Sequence, residues 1–128
     1  MNQSFRFGKK ERIFLQKEID LVFREGKSFS AYPLRVVYVE ERPSLGTSAS
    51  VLISVPKKKI KHAVKRNRLK RLIREAYRLN KHSLIESLET ANKGLLIAFL
   101  FTGNDLFDYN QIETAMKKAL QILIKKQE

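Results

Sequence analysis

The apolar positions change period several times along the chain, and each change marks an element. Leu15, Ile19, Val22 and Phe23 recur at helical spacing, which predicts a short helix over about Gln16–Glu25 with Gly26 as its C-terminal cap. The stretch "KSFSAYPLRVVYVE" then predicts a short strand, a break at Pro33 and a longer strand near Leu34–Glu40, rich in the Val and Tyr that suit a sheet. "ERPSLGTS" reads as a turn, and "ASVLISV", Ala49–Val55, as a strand bounded by Pro56. A basic helical segment follows, and after it "ETANKG" leads into the strand "GLLIAFLF", Gly94–Phe101. Asp108 is placed to cap a last helix running to about Lys125, with Ile112, Ala115, Met116, Ala119, Leu120 and Leu123 on one face. The predicted order is αβββαβα. It describes an α+β sandwich, one small sheet with helices packed on it. No repeat, low-complexity tract or linker divides the chain, so residues 1–128 read as a single domain.

The basic segment "KKKIKHAVKRNRLKRLIREAYR", Lys57–Arg78, carries two opposed faces. On a helical wheel of about 100° per residue, Leu69, Leu72, Ile73 and Ala76 group on one side. Asn67, Lys70, Arg71, Arg74 and Arg78 gather on the other. The apolar side is suited to a sheet, and the basic side looks outward. An ordinary solvated helix face mixes acids and bases in i, i+4 pairs, whereas this one offers only Glu75.

Charge sharpens that picture. The net charge is +13 over 128 residues, and Lys57–Lys81 holds twelve bases against one acid. The rest of the chain is close to neutral. Concentrated positive charge repels itself, and an anionic partner relieves the repulsion. Arginine donates two parallel hydrogen bonds to phosphate, so a stripe of arginines points to nucleic acid. A membrane-surface helix would place Phe or Trp on its apolar face, and this one has small and branched aliphatics. No apolar run approaches the roughly 18 residues of a membrane span. The absence of cysteine fits a reducing compartment, and the N-terminus lacks an apolar signal core, so a cytoplasmic location is expected.

The run "KRNRLKRLIREAYR" resembles the family of bacterial ribonuclease P protein subunits. The match rests on Arg66, Asn67, Arg68, Lys70, Arg71, Arg74 and Glu75. "SVPKKKIKHAV" resembles the strand end and loop before that motif, and "DLVFREGKSF" the family's first helix and its exit. The likeness covers about residues 7–125. It implies a single RNA-binding domain in a ribonucleoprotein endonuclease that removes the 5′ leader from precursor tRNA. Catalysis is then carried by an RNA subunit with bound Mg²⁺, and no metal is expected on the protein. The expected partners are that RNA subunit and precursor tRNA, with no membrane and no obligatory protein partner.

Carried over residue by residue, the resemblance assigns Arg66, Asn67, Arg68, Lys70, Arg71 and Arg74 to the RNA subunit, with Lys57, Lys58, Lys61 and Arg78 flanking them. A cleft between the first helix and the sheet would hold the single-stranded leader, with Phe23 and Tyr38 as stacking rings. Ile19 stands where the family often has a second aromatic. A core role is the alternative for Phe23 and for Tyr38. The resemblance also implies a left-handed crossover between the parallel strands, where the general rule gives a right-handed one.

The chain's own acid–base inventory is thin. His62 and His82 would sit at opposite ends of one helix, and paired histidines are what a protein ribonuclease commonly uses. Glu40 and Glu41 diverge at a strand end, and Asp105 and Asp108 suit loop and cap roles, so no protein-borne catalytic residue is expected. The main rival is a ribosomal or other non-catalytic protein that binds structured RNA. A helix-turn-helix DNA binder is disfavoured because a strand, not a helix, leads into the basic segment.

Overall fold

The computed structural model describes residues 16–41 and 48–127. Leu15, the expected start of the family likeness near residue 7 and most of the "ERPSLGTS" turn lie outside these. The elements are α1 (Gln16–Glu25), β1 (Lys27–Ala31), β2 (Leu34–Glu41), β3 (Ala49–Ser54), α2 (Ala63–Asn80), α3 (His82–Ala91), β4 (Gly94–Phe101) and α4 (Tyr109–Lys126). The architecture is α+β, with one sheet in the order β1-β2-β4-β3. β2 runs antiparallel to both β1 and β4, and β3 pairs with β4 in parallel. A parallel neighbour cannot be reached by a tight turn, so the chain crosses over through α2 and α3.

β4 explains its own sequence. It is the interior strand between β2 and β3, and both of its faces are covered. Leu95, Ile97, Phe99 and Phe101 point into the larger core, with Leu69, Ile73, Ala76 and Tyr77 of α2, Leu84 and Leu88 of α3, and the apolar stripe of α4. Leu96 and Ala98 point the other way, against Val22 of α1 and Val37 of β2. A strand buried on both faces needs no alternation, hence the unbroken run "LLIAFLF".

The helix ends follow local chemistry. Asp108 caps α4 as expected: its Oδ1 accepts from the Gln111 backbone N–H at 2.8 Å, while the Gln111 side chain accepts from the Asp108 N–H at 2.9 Å. Asn92 ends α3 in the left-handed region at φ 53°, and the Lys93 N–H reaches the Leu88 carbonyl at 2.9 Å.

The expected element order requires one correction. The segment between β3 and β4 is two helices, so the order is αβββααβα. Lys81 closes α2 and opens α3 with helical dihedrals, φ −75° and ψ −18°, and is buried. The joint carries neither glycine nor proline, so the sequence holds no breaker signal. The pull comes from tertiary packing, since Leu84 and Leu88 are both fully buried in the larger core. The basic helix also starts later than Lys57. Residues 57–62 form a loop folded back on Pro56, whose carbonyl accepts from the N–H of Lys59 and of Ile60. Buried Ile60 anchors that loop to the core.

Candidate nucleic-acid interface

The motif helix α2 lays its buried Leu69, Ile73, Ala76 and Tyr77 on the core, which turns the opposite stripe to solvent. Asn67, Lys70, Arg71 and Arg74 line an open groove of about 370 Å³ with Val64. Its lining contains three cations and no acid. The Nε of Arg74, one of the lining residues, is buried without a hydrogen-bond partner among the described residues. Phosphate oxygens match the sign of the groove and accept from its lysine and arginine side chains. Arg68 is exposed on the flank of the same helix.

Arg66 and Arg78, expected in the RNA-facing set, are engaged elsewhere. Arg66 turns back on the preceding loop, where its Nη1 donates to the carbonyls of Ile60 at 3.1 Å and Lys61 at 2.6 Å. It pins the lysine loop to the first turn of α2. Arg78 forms a two-pronged ion pair with Glu75, from Nε to Oε2 and from Nη2 to Oε1. That bond holds the Glu75 carboxyl below the ordinary carboxylate range. Lys57, Lys58 and Lys61 are exposed on the loop itself, and Lys58 and Lys61 face residues 104–106 across a second depression.

Behind the stripe, the end of α2 is tied to the start of α4. Glu113 Oε2 accepts from Asn80 Nδ2 at 3.2 Å and from the Tyr109 hydroxyl at 3.0 Å. The Asn80 bond, then the Tyr109 bond, lowers the Glu113 pKa. Burial, reinforced by Glu113, pushes Tyr109 up to about 12. This network fixes the far end of the motif helix.

The rings assigned to the leader cleft separate. Phe23 on α1 is 49% exposed, which is no core position. Ile19, one turn earlier, is half-buried against the α1-side cluster. Tyr38 does not join them. It is 6% exposed, lies in the larger core on the opposite face of the sheet, and meets Phe29 edge-on at 6.1 Å. The β2 residue on the α1 side is its neighbour Val37, accompanied by Val39, with Leu52 and Leu100 from the adjoining strands. A shift of one residue along a strand changes the face. Val36–Val39 is an unbroken apolar run, so alternation is lost where Val37 and Tyr38 stand, although exposed Arg35 shares the face of Val37.

His62 is the extended residue before α2 and His82 opens α3, so the eighteen residues of α2 stand between them. Among the described residues no group of three or more His, Cys, Asp or Glu side chains is arranged to hold a metal ion. No described helix is long and apolar enough to cross a membrane.

A sequence model of the Ribonuclease P family matches residues 7–124. The "Ribonuclease P protein component" of Porphyromonas gingivalis strain ATCC 33277 is 48% identical over 117 residues, spanning 91% of this chain and 85% of that protein. The protein of the same name from Clostridium botulinum strain Langeland is 36% identical over 118 residues, spanning 88% and 94% respectively. The solved structure of the RNase P protein from Thermotoga maritima superimposes with a TM-score of 0.65 at 26% identity, covering 88% of this chain and 96% of that one.

Proposed function

The chain belongs to the ribonuclease P protein family, a subunit of the ribonucleoprotein that processes the 5′ end of tRNA, and from that premise we propose how its surfaces serve two RNAs. The whole chain acts as a single RNA-binding domain. The α2 groove, with Asn67, Lys70, Arg71 and Arg74, takes the phosphate backbone of the ribonuclease P RNA, and Arg68 and the exposed lysines Lys57, Lys58 and Lys61 extend the contact. Arg66 acts indirectly by holding that loop in place. The α1 side of the sheet, with Phe23 and Ile19 beside Val37, takes the single-stranded leader of precursor tRNA.

The observation that carries this reading is the one-signed groove, lined by Lys70, Arg71 and Arg74 with no acid. Phosphate matches its charge. The RNA subunit carries the chemistry with its own Mg²⁺, and the described carboxylates and histidines offer no set suited to hold a metal in its place. The protein's contribution is to bind and orient the two RNAs by charge and stacking in a cytoplasmic particle.

Cleavage of labelled precursor tRNA by the cognate RNA subunit, at low Mg²⁺ and with or without protein, tests the proposal. Wild-type protein should stimulate cleavage, and Arg71→Ala combined with Arg74→Ala should need far more protein for the same rate. Equal stimulation by the double variant would remove the groove from the interface.

A further inference from the structure

At one end of the sheet, the turn between β1 and β2 presents Tyr32 with 66% of its surface exposed. The ring is held in place. It meets Phe107 edge-on, with centroids 5.8 Å apart, and Phe107 meets buried Phe101 in the same manner at 5.7 Å. Gly103 permits this ladder, because a Cβ there would lie 2.7 Å from Phe107 and 2.8 Å from Phe101. The turn is fastened from its other side by Thr102, whose N–H and hydroxyl both donate to the Pro33 carbonyl, at 2.8 and 3.1 Å.

Next to Phe107 in the chain, Leu106 lines an open depression of about 270 Å³. Lys58, Lys59, Lys61 and Lys65 form much of its wall, against the single acid Asp105. Residues 105–107 therefore join a fixed, solvent-facing aromatic ring to a cluster of cations. With most of its surface exposed, the terminal ring keeps area open for stacking. A ring already held by its neighbours loses little freedom on binding, so stacking on it is favoured over stacking on a loose side chain. An apolar partner would use the ring and leave the lysines uncompensated. An unpaired nucleotide uses both, base on ring and phosphate on ammonium.

We propose that Tyr32 is a stacking platform for an unpaired RNA nucleotide whose adjacent phosphate lies on the Lys58, Lys61 and Lys65 cluster, a site that shares the lysine loop with the RNA-subunit contact but lies outside the α2 groove lining and the α1 face. The identity of the RNA that supplies the nucleotide rests on the proposed function, but the site itself does not.

The chain contains no tryptophan, so Tyr32→Trp gives full-length protein with one local fluorescent reporter. Titration with a short single-stranded oligouridylate should quench it saturably, and adding Lys58→Ala with Lys61→Ala should raise the Kd several-fold. Without the reporter, Tyr32→Ala should weaken oligouridylate binding about fivefold or more, the scale of one stacked base. Tyr32→Phe should retain affinity, and thermal melts should stay together. The two RNA sources are then distinguished by Tyr32→Ala binding to the RNA subunit, and by precursor tRNA binding to the assembled enzyme. A loss in the first arm places the nucleotide in the subunit, and a loss confined to the second places it in the precursor. Absence of quenching, quenching that depends on protein concentration alone, a Tyr32→Phe variant as weak as Tyr32→Ala, or no loss in either RNA arm would each overturn the site. If it fails while the α2 groove variants still lose RNA affinity, only the Tyr32 platform is lost; the reverse pattern removes the groove and leaves the platform.

Discussion

Arg66, Arg71 and Arg74 share one helix and one chemistry, yet their surroundings give them different work. Arg71 faces the open groove, so Arg71→Ala should weaken binding to the RNA subunit by about 1–3 kcal/mol, the scale of a charge-assisted hydrogen bond, and leave the melting temperature unchanged. Arg66 donates to two loop carbonyls, so Arg66→Ala should lower the melting temperature, at a cost of about 1–2 kcal/mol. Thermal melts beside filter-binding assays separate the two, and an unmoved melt for Arg66→Ala with a large affinity loss would make it a direct contact. Phe23 is argued in the same way. Being half exposed, its replacement by Ala should hardly shift the melt. In the assembled enzyme it should weaken precursor tRNA by about 1–3 kcal/mol and spare mature tRNA, which lacks a leader. Equal losses for both ligands with a lowered melt would return the ring to the core.

At the scale of elements, α1 and α2 are seated by different means. α1 rests on a small cluster, Val22 against Val37, Leu96 and Ala98, and its exit passes very close to β2. A Cβ on Gly26 would stand 2.2 Å from the Val22 carbonyl and 2.6 Å from Val37 Cγ1. Gly26→Ala should therefore lift α1 from the sheet, costing about 1–3 kcal/mol in chemical denaturation, and weaken precursor binding more than RNA-subunit binding. The seat of α2 is polar at its far end, and pH should expose it. Glu113 and Glu75 have folded pKa values below the usual 4.5, so their contribution is present above that pH and fades as pH falls through the folded values. Tyr109 has a folded value raised from 10.0 to about 12, so its contribution is intact below pH 10 and fades as pH rises towards 12. Glu113→Gln should flatten the acid limb of the melting-temperature profile and soften the alkaline limb, and an unchanged profile would show that the network does not support the helix.

For the whole molecule, the decisive property is where the +13 charge resides. Binding to RNA releases counterions, so log affinity should fall linearly with log salt, by roughly 0.7–0.9 per phosphate neutralised. Removing Lys70, Arg71 or Arg74 should each reduce that slope by about one phosphate's worth. Arg78→Ala should leave it unchanged, because that cation is already matched by Glu75. A slope that falls equally for Arg78→Ala would mean the ion pair opens on RNA. The separation of the two histidines by α2 leads to a companion expectation: protein freed of RNA should not cleave precursor tRNA, and specific 5′ cleavage by scrubbed protein would reassign the chemistry.

The sequence by itself determined the elements whose signals are local. The bounds of α1 and β4, the Asp108 cap, the basic stripe and the family motif all follow from spacing of a few residues, because capping and amphipathicity are short-range physics. What faces what was decided only by tertiary structure. The break at Lys81 answers to the burial of Leu84 and Leu88, not to a breaker residue. Tyr38 and Val37 take opposite faces within the apolar run Val36–Val39, where alternation is lost and packing on either side decides the role of each. Arg66 turns away from the expected RNA contact, and Arg78 from the solvent stripe, because a folded loop and Glu75 lie within reach of their guanidinium groups. Spacing places a side chain on a helix, but its partners come from the rest of the fold, and they decide whether a cation remains available for RNA.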